Sequence, residues 1–290
     1  MRAHRSRRFW VAALGLGLAA IGGPAVTGAP LAAATTIPFG SVQVAVATSS
    51  LDSNASKVVT VVCPAGKKVL GGGGQTSGDP HVLMTELRPI SQGSGNVFNV
   101  IATEDPVGTP QPWSVQAFAF CADAPLGLEY VTVNTNTTAP FTAAFAQCPA
   151  GKALIGSGGR IGSGFGRVAL DVVPATLQRG AIAFAKTAGV STPYLLSSFA
   201  VCVTGVAAFD ISVVSAVSEA GTANPKKVVL QCPAGMGAIS VGGSTESNPS
   251  VHLLSLKPTT TNAPTAVEVA GISTDPNAHW TVSGFVVCAK

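Results

Sequence analysis

Glu86 and Asp171 occupy the same place in two related stretches of sequence, 23 residues after Cys63 and Cys148. Two carboxylates held about 5 to 10 Å apart are the catalytic pair of glycoside hydrolysis. A third related stretch places Ser255 at that position. Residues at matching places in different repeats are related by the repeat symmetry, so they meet only near its axis. The expectation is therefore two surface carboxylates on the polar faces of strands. A hydrolase triad needs a histidine base, and after the N-terminal leader the chain has only His81, His252 and His279. His81 and His252 open equivalent strands and His279 precedes Trp280, which predicts exposed or half-exposed strand ends. No two of them share the spacing of metal ligands. Gly156-Ser157-Gly158-Gly159 resembles a fragment of a serine nucleophile loop, but the matching places hold more glycine or Ser240-Val241. The glycines at 71–74 lack the lysine and following helix of a phosphate loop, so close backbone packing or tight turning is expected there. No catalytic residue, metal ligand or cofactor site is assigned.

Trp113, Tyr194 and Trp280 form a second set, each eight residues before a cysteine. Aromatic plates on a rigid β surface stack on sugar rings, and three copies would give avidity, so these are candidate glycan-stacking residues. The competing reading places each ring in the core beside its own disulfide, since strand parity puts it on the cysteine's side.

Both sets are positioned by a threefold repeat. Cys63-Pro64-Ala65-Gly66 recurs as Cys148-Pro149-Ala150-Gly151 and Cys232-Pro233-Ala234-Gly235. Each copy continues through an apolar residue seven places on (Leu70, Ile155, Ile239), a glycine pair (Gly73-Gly74, Gly158-Gly159, Gly242-Gly243) and a proline at the twenty-sixth place (Pro89, Pro174, Pro258). Each closes on a second cysteine, Cys121, Cys202 or Cys288. Six cysteines in an exported chain read as a disulfide framework, and one geometry serves all copies if the pairs are Cys63–Cys121, Cys148–Cys202 and Cys232–Cys288.

Six strands are expected per copy: in the first, residues 42–46, 58–62, 67–71, 82–87, 97–101 and 113–121. The residues between the first two strands of each copy (49–56, 134–138, 218–225) read as loops, and the closing strand reads as buried on both faces. Abundant Gly, Val, Thr and Ser with no helical period give an all-β fold. Its repeats span 35–124, 125–206 and 207–290, with short junctions that favour one closed pseudo-threefold body over three tandem β-sandwich domains.

Residues 1–34 read as a secretory signal peptide: Arg2, Arg5, Arg7 and Arg8, an apolar run over 9–21, then small residues through Ala34. Ser6-Arg7-Arg8-Phe9 partly matches a twin-arginine signal and leaves the export route open. The four leader arginines account for the formal charge of +4, since 17 − 4 leaves 13 basic against 13 acidic residues. A neutral mature chain with no basic, aromatic-studded run points away from nucleic acid, and no later segment is long and apolar enough to span a membrane as a helix.

The Cys-Pro-x-Gly starts, the glycines after them, the closing cysteines and the threefold repetition resemble the vitelline membrane outer layer protein family. That resemblance implies a secreted β-prism of three sheets about a pseudo-threefold axis, in a coat or matrix protein with affinity for aminosugar polymers. It brings no binding residues, and the repeats here are longer than the family's. The sequence thus predicts a secreted, non-catalytic cell-surface or extracellular protein, structural or glycan-binding, whose partner is an extracellular polysaccharide or cell-wall glycan. A carbohydrate-active hydrolase using Glu86 or Asp171, and an inhibitor or toxin component acting through protein contacts, are the alternatives.

Overall fold

The computed structural model describes residues 41–90, 95–164, 166–175, 179–204 and 211–290. The signal peptide assigned to 1–34 and its cleavage site lie outside the described residues. Repeat 1 forms β1 (Gln43–Thr48), β2 (Ser56–Val62), β3 (Lys67–Thr76), β4 (Val82–Ile90), β5 (Val97–Glu104) and β6 (Val115–Asp123). Repeat 2 forms β7 (Glu129–Thr137), β8 (Phe141–Gln147), β9 (Lys152–Gly162), β10 (Ala169–Ala175), β11 (Gly180–Lys186) and β12 (Tyr194–Thr204). Repeat 3 forms β13 (Ile211–Val217), β14 (Lys226–Gln231), β15 (Gly237–Thr245), β16 (Val251–Pro258), β17 (Ala266–Ser273) and β18 (Val282–Ala289). The described residues contain no α-helix and no helix able to cross a membrane. One expected loop is corrected: residues 134–137 continue β7, pairing with β12 through Asn134↔Ser197 and Thr137↔Tyr194.

These strands make three six-stranded sheets, and each sheet draws on two repeats. Sheet I runs β1-β6-β3-β16-β17-β14, sheet II β13-β18-β15-β10-β11-β8, and sheet III β2-β5-β4-β9-β12-β7. Every repeat therefore gives its first, third and sixth strands to one sheet and its second, fourth and fifth to another. Three tandem sandwiches are excluded, because no repeat holds a complete sheet of its own. The central pairings close a cycle: β4 of repeat 1 meets β9 of repeat 2, β10 meets β15, and β16 returns to β3.

The repeated motif explains how one chain segment serves two sheets. After β2, Pro64 to Gly66 turns the chain, with Lys67 N donating to Pro64 O at 3.0 Å and Gly66 at a φ of 81°. Gly151 and Gly235 adopt the same left-handed conformation, at 80° and 78°, which a side chain at this turn position would strain. The residue seven places after the cysteine, Leu70, Ile155 or Ile239, is the extra residue of a β-bulge against the closing strand, and each is fully buried.

The glycine run does not end the third strand; the strand passes through it, because only a bare backbone fits there. A Cβ at Gly73 would lie 2.0 Å from Leu256 O, one at Gly158 2.5 Å from Leu87 O, and one at Gly242 2.7 Å from Val172 O. Each of those carbonyls belongs to the neighbouring repeat's fourth strand. β3, β9 and β15 also pack on one another: a Cβ at Gly156 would meet Leu70 O, and one at Gly71 would meet Ile239 O. The glycine strands, rather than the closing strands, thus form the shared centre.

Three disulfides form in the expected pairing, Cys63–Cys121, Cys148–Cys202 and Cys232–Cys288. Cys63 follows β2 of sheet III while Cys121 lies in β6 of sheet I, so the bond ties two sheets together. The other two join sheets II and III, and I and II, in the same way.

Candidate functional site

The cyclic sharing of strands among the three sheets brings loops that precede the fourth strand or follow the fifth strand of the repeats together. There a pocket of about 310 Å³ is lined by all three repeats: Asp105 and Pro106 from the first, Arg167 and Thr187 from the second, Ser250 and His252 from the third, among others. The repeats interlock around it. Gly166, at a φ of 70°, lies so close to Glu104 that a Cβ would fall 2.0 Å from its carbonyl oxygen.

His252 is corrected from a strand-end position to the interior: it is 3 % exposed, and its Nε2 is buried without a hydrogen-bond partner. Burial pushes its pKa down to about 4, and the positive Lys186 adds to this, while Asp105 and a backbone hydrogen bond to Val82 oppose it. His81 and His279 match expectation, one half-buried and one exposed. Asp105 orients His81, with Nδ1 2.8 Å from Oδ2, and its Oδ1 accepts from the backbone of Val107 and Gly108. Arg167, exposed at the pocket, makes no ion pair among the described residues.

A neutral, buried imidazole makes stability depend on pH. The folded pKa lies below the unfolded value of about 6.5, so the contribution is full above pH 6.5 and is lost as pH falls toward 4. Relative to His252→Leu, the wild-type protein should lose about 3 kcal/mol of unfolding free energy across that window. Denaturant titrations of both proteins at pH 7 and pH 4 test this. Parallel losses would show that His252 is not the titrating group.

Glu86 and Asp171 are corrected from surface to interior, being 1 % and 2 % exposed. Each sits where one repeat's fourth strand meets the next repeat's third. Glu86 pairs across the junction with Arg160, whose Nε is 3.0 Å from Oε2, and with Arg88, whose Nε is 2.9 Å from Oε1. The Arg88 contact is ionic rather than an aligned hydrogen bond, since neither atom has a hydrogen-bond partner. Asp171 Oδ2 accepts from Lys186 Nζ at 2.8 Å and from Thr245 N at 3.2 Å, with Ser244 Oγ 3.4 Å away. Ser255, the third residue of the set, faces Gln75 at its own junction. Burial pushes both carboxyl pKa values up, against the pull of the neighbouring cations. These carboxylates hold the repeats together, each through its own partners.

Trp113, Tyr194 and Trp280 are each 1 % exposed, so their rings are not available to stack on a glycan. Nor do they lie beside their disulfides, for eight extended residues separate ring and cysteine by about 27 Å. Buried lysines cover two of them, Lys57 at 4.8 Å from the Trp113 centroid and Lys226 at 5.3 Å from Trp280. Lys57 also pairs with Asp52, and Lys226 donates to Glu219 O and Trp280 O. In repeat 2 the same two places hold Thr142 and Tyr194, whose hydroxyl donates to Ala139 O at 2.8 Å. Lysine and tryptophan thus occur together or not at all, a signal already present in the repeats.

The described residues contain no group of three or more His, Cys, Asp or Glu side chains able to hold a metal ion. What the pocket offers is one exposed guanidinium, Arg167, with Thr187, Ser250 and Thr274 as hydroxyl-bearing residues, Asp105, and the buried His252 among its lining. No protein-family model matches the chain, and no curated protein resembles it in sequence.

Proposed function

We propose that this is an extracellular, non-catalytic, glycan-binding protein of a coat or cell wall, and that the pocket shared by the three repeats holds its ligand. The observation that carries the reading is that lining: a cavity of about 310 Å³ built from all three repeats, within the size range of small-molecule sites. The three disulfides favour an oxidising compartment, in keeping with export by the leader. The cyclic sharing of sheets and the mutual packing of the glycine strands support a pseudo-threefold β-prism, the architecture implied by the likeness to vitelline membrane outer layer proteins. Ion-paired Glu86 and Asp171 argue against the hydrolase alternative that relied on them.

The test is retention of the oxidised protein on insoluble chitin, peptidoglycan and cellulose, with soluble oligosaccharide as competitor and released sugar assayed in the same tubes. Competable retention that is lost in Arg167→Gln, with no sugar released, is the expected result. Sugar release would replace the reading by catalysis. Binding to none of the polymers would leave a structural or protein-binding role.

A further inference from the structure

The three sheet junctions are equivalent in backbone, so their side chains can be compared position by position. Twelve and 25 residues after the first cysteine, the diagonal neighbours across each junction are Arg160 and Arg88 in sheet III, Ser244 and Val173 in sheet II, and Gln75 and Lys257 in sheet I. Only sheet III places two guanidinium groups together. They share one buried carboxylate, Glu86, through their Nε atoms, so the cluster keeps a net positive charge while the mature chain has none. A guanidinium carries five N–H donors, and those not directed at Glu86 remain for another anion.

Around this pair lies a cleft of about 290 Å³ spanning β4, β9, β12 and β7. One row across the sheet reads Glu86, Arg160, Ser197, Asn134, by direct register. In the next row Gly158 faces Phe199, which faces Thr132. With no side chain at Gly158, Arg88 reaches over the Phe199 ring, 5.9 Å from its centroid. Arg160 is 40 % exposed in its side chain and Arg88 27 %.

We propose that this cleft binds the carboxylate-bearing sugars of an acidic polysaccharide. The two guanidinium groups receive a uronate carboxylate in the planar, forked geometry that arginine favours. Ser197, Asn134 and Thr132 supply the hydroxyl and amide partners that sugar hydroxyls require, and Pro89 and Leu195 give the cleft apolar walls. Buried Glu86 fixes both cations before the ligand arrives, which lowers the ordering cost of binding. The site is separate from the three-repeat pocket, and it rests on the extracellular glycan-binding reading only for the presence of such polymers.

Polygalacturonate is the probe, with dextran as its neutral counterpart and dextran sulfate as a polyanion without carboxylates, each measured by affinity electrophoresis of the oxidised protein. Binding to polygalacturonate should exceed binding to either comparison polymer. It should fall about tenfold or more in Glu86→Gln/Arg88→Gln/Arg160→Gln, which removes the cluster's charges together. Thr132→Trp fills the cleft from an exposed strand position and leaves the ion pairs intact, so it should cause the same loss in a protein of unchanged thermal stability. The neutral oligosaccharide used as competitor at the three-repeat pocket should leave polygalacturonate binding unchanged, which separates failure of this inference from failure of the pocket reading. Equal binding of dextran or dextran sulfate, or full binding by Thr132→Trp, would overturn the proposal.

Discussion

Reduction of the three disulfides is expected to unfold the protein at ambient temperature, whereas replacing a single pair, Cys232→Ser/Cys288→Ser, should lower stability by about 4 kcal/mol. The bonds close loops of 58, 54 and 56 residues, long enough that cross-linking removes much of the unfolded chain's freedom, by about the same amount for each bond. Three such contributions, even if they add incompletely, are comparable with the whole net stability of a domain, about 5–15 kcal/mol. Their placement strengthens the argument, because each bond ties the end of one sheet's outer strand to a different sheet's closing strand. The six cysteines are at most 5 % exposed, so reductant alone should act slowly on the folded protein and quickly once denaturant is added. Denaturant midpoints of the oxidised, single-pair and fully reduced forms test this. A reduced protein that still unfolds cooperatively within about 1 kcal/mol of the oxidised one would show that the sheets hold together without the bonds.

The strand plan was legible because the repeat supplies its own alignment: three copies of one cysteine register average out the ambiguity of any single window. β2 shows strict alternation, with Lys57, Val59 and Val61 inward and Val58, Thr60 and Val62 outward, and it was placed within two residues. The interior carboxylates were not legible. β4 is buried along nearly its whole length, and β9, which comes from another repeat, pairs along its second edge and sets Arg160 beside Glu86. A reading confined to one repeat sees Glu86 on an edge and cannot see Arg160 opposite. The usable signal was the conjunction of position 12 in one copy with position 23 in another: Arg160 with Glu86, Ser244 with Asp171, Gln75 with Ser255. His252 was missed for the same reason, since residues of the other repeats bury it.

Lys186→Met is the second large effect, expected to cost about 3–5 kcal/mol at neutral pH. Lys186 is 1 % exposed and donates to Asp171 at 2.8 Å, to Thr245 Oγ1 and to Glu246 O. It thereby joins β11 of repeat 2 to the end of β15 of repeat 3. Methionine keeps the volume but leaves Asp171 buried without its cation, with Oδ1 already unpartnered. The pH dependence gives a signature that simple packing loss does not. Burial raises the Asp171 pKa in the folded protein, and removing the cation raises it further, so the folded variant holds a proton that the unfolded chain releases above about pH 4. A raised folded-state pKa means that stability is greatest below the unfolded value and is lost as pH rises through the folded one. The deficit of Lys186→Met against wild type should therefore shrink as pH falls from 7 toward 4. Lys186→Met/Asp171→Leu should recover most of the loss at pH 7, since breaking a buried pair is costly where replacing both members with apolar groups is often neutral. A double variant no more stable than the single one, together with a deficit independent of pH, would mean that Lys186 acts through its contacts to Thr245 and Glu246 rather than by neutralising Asp171.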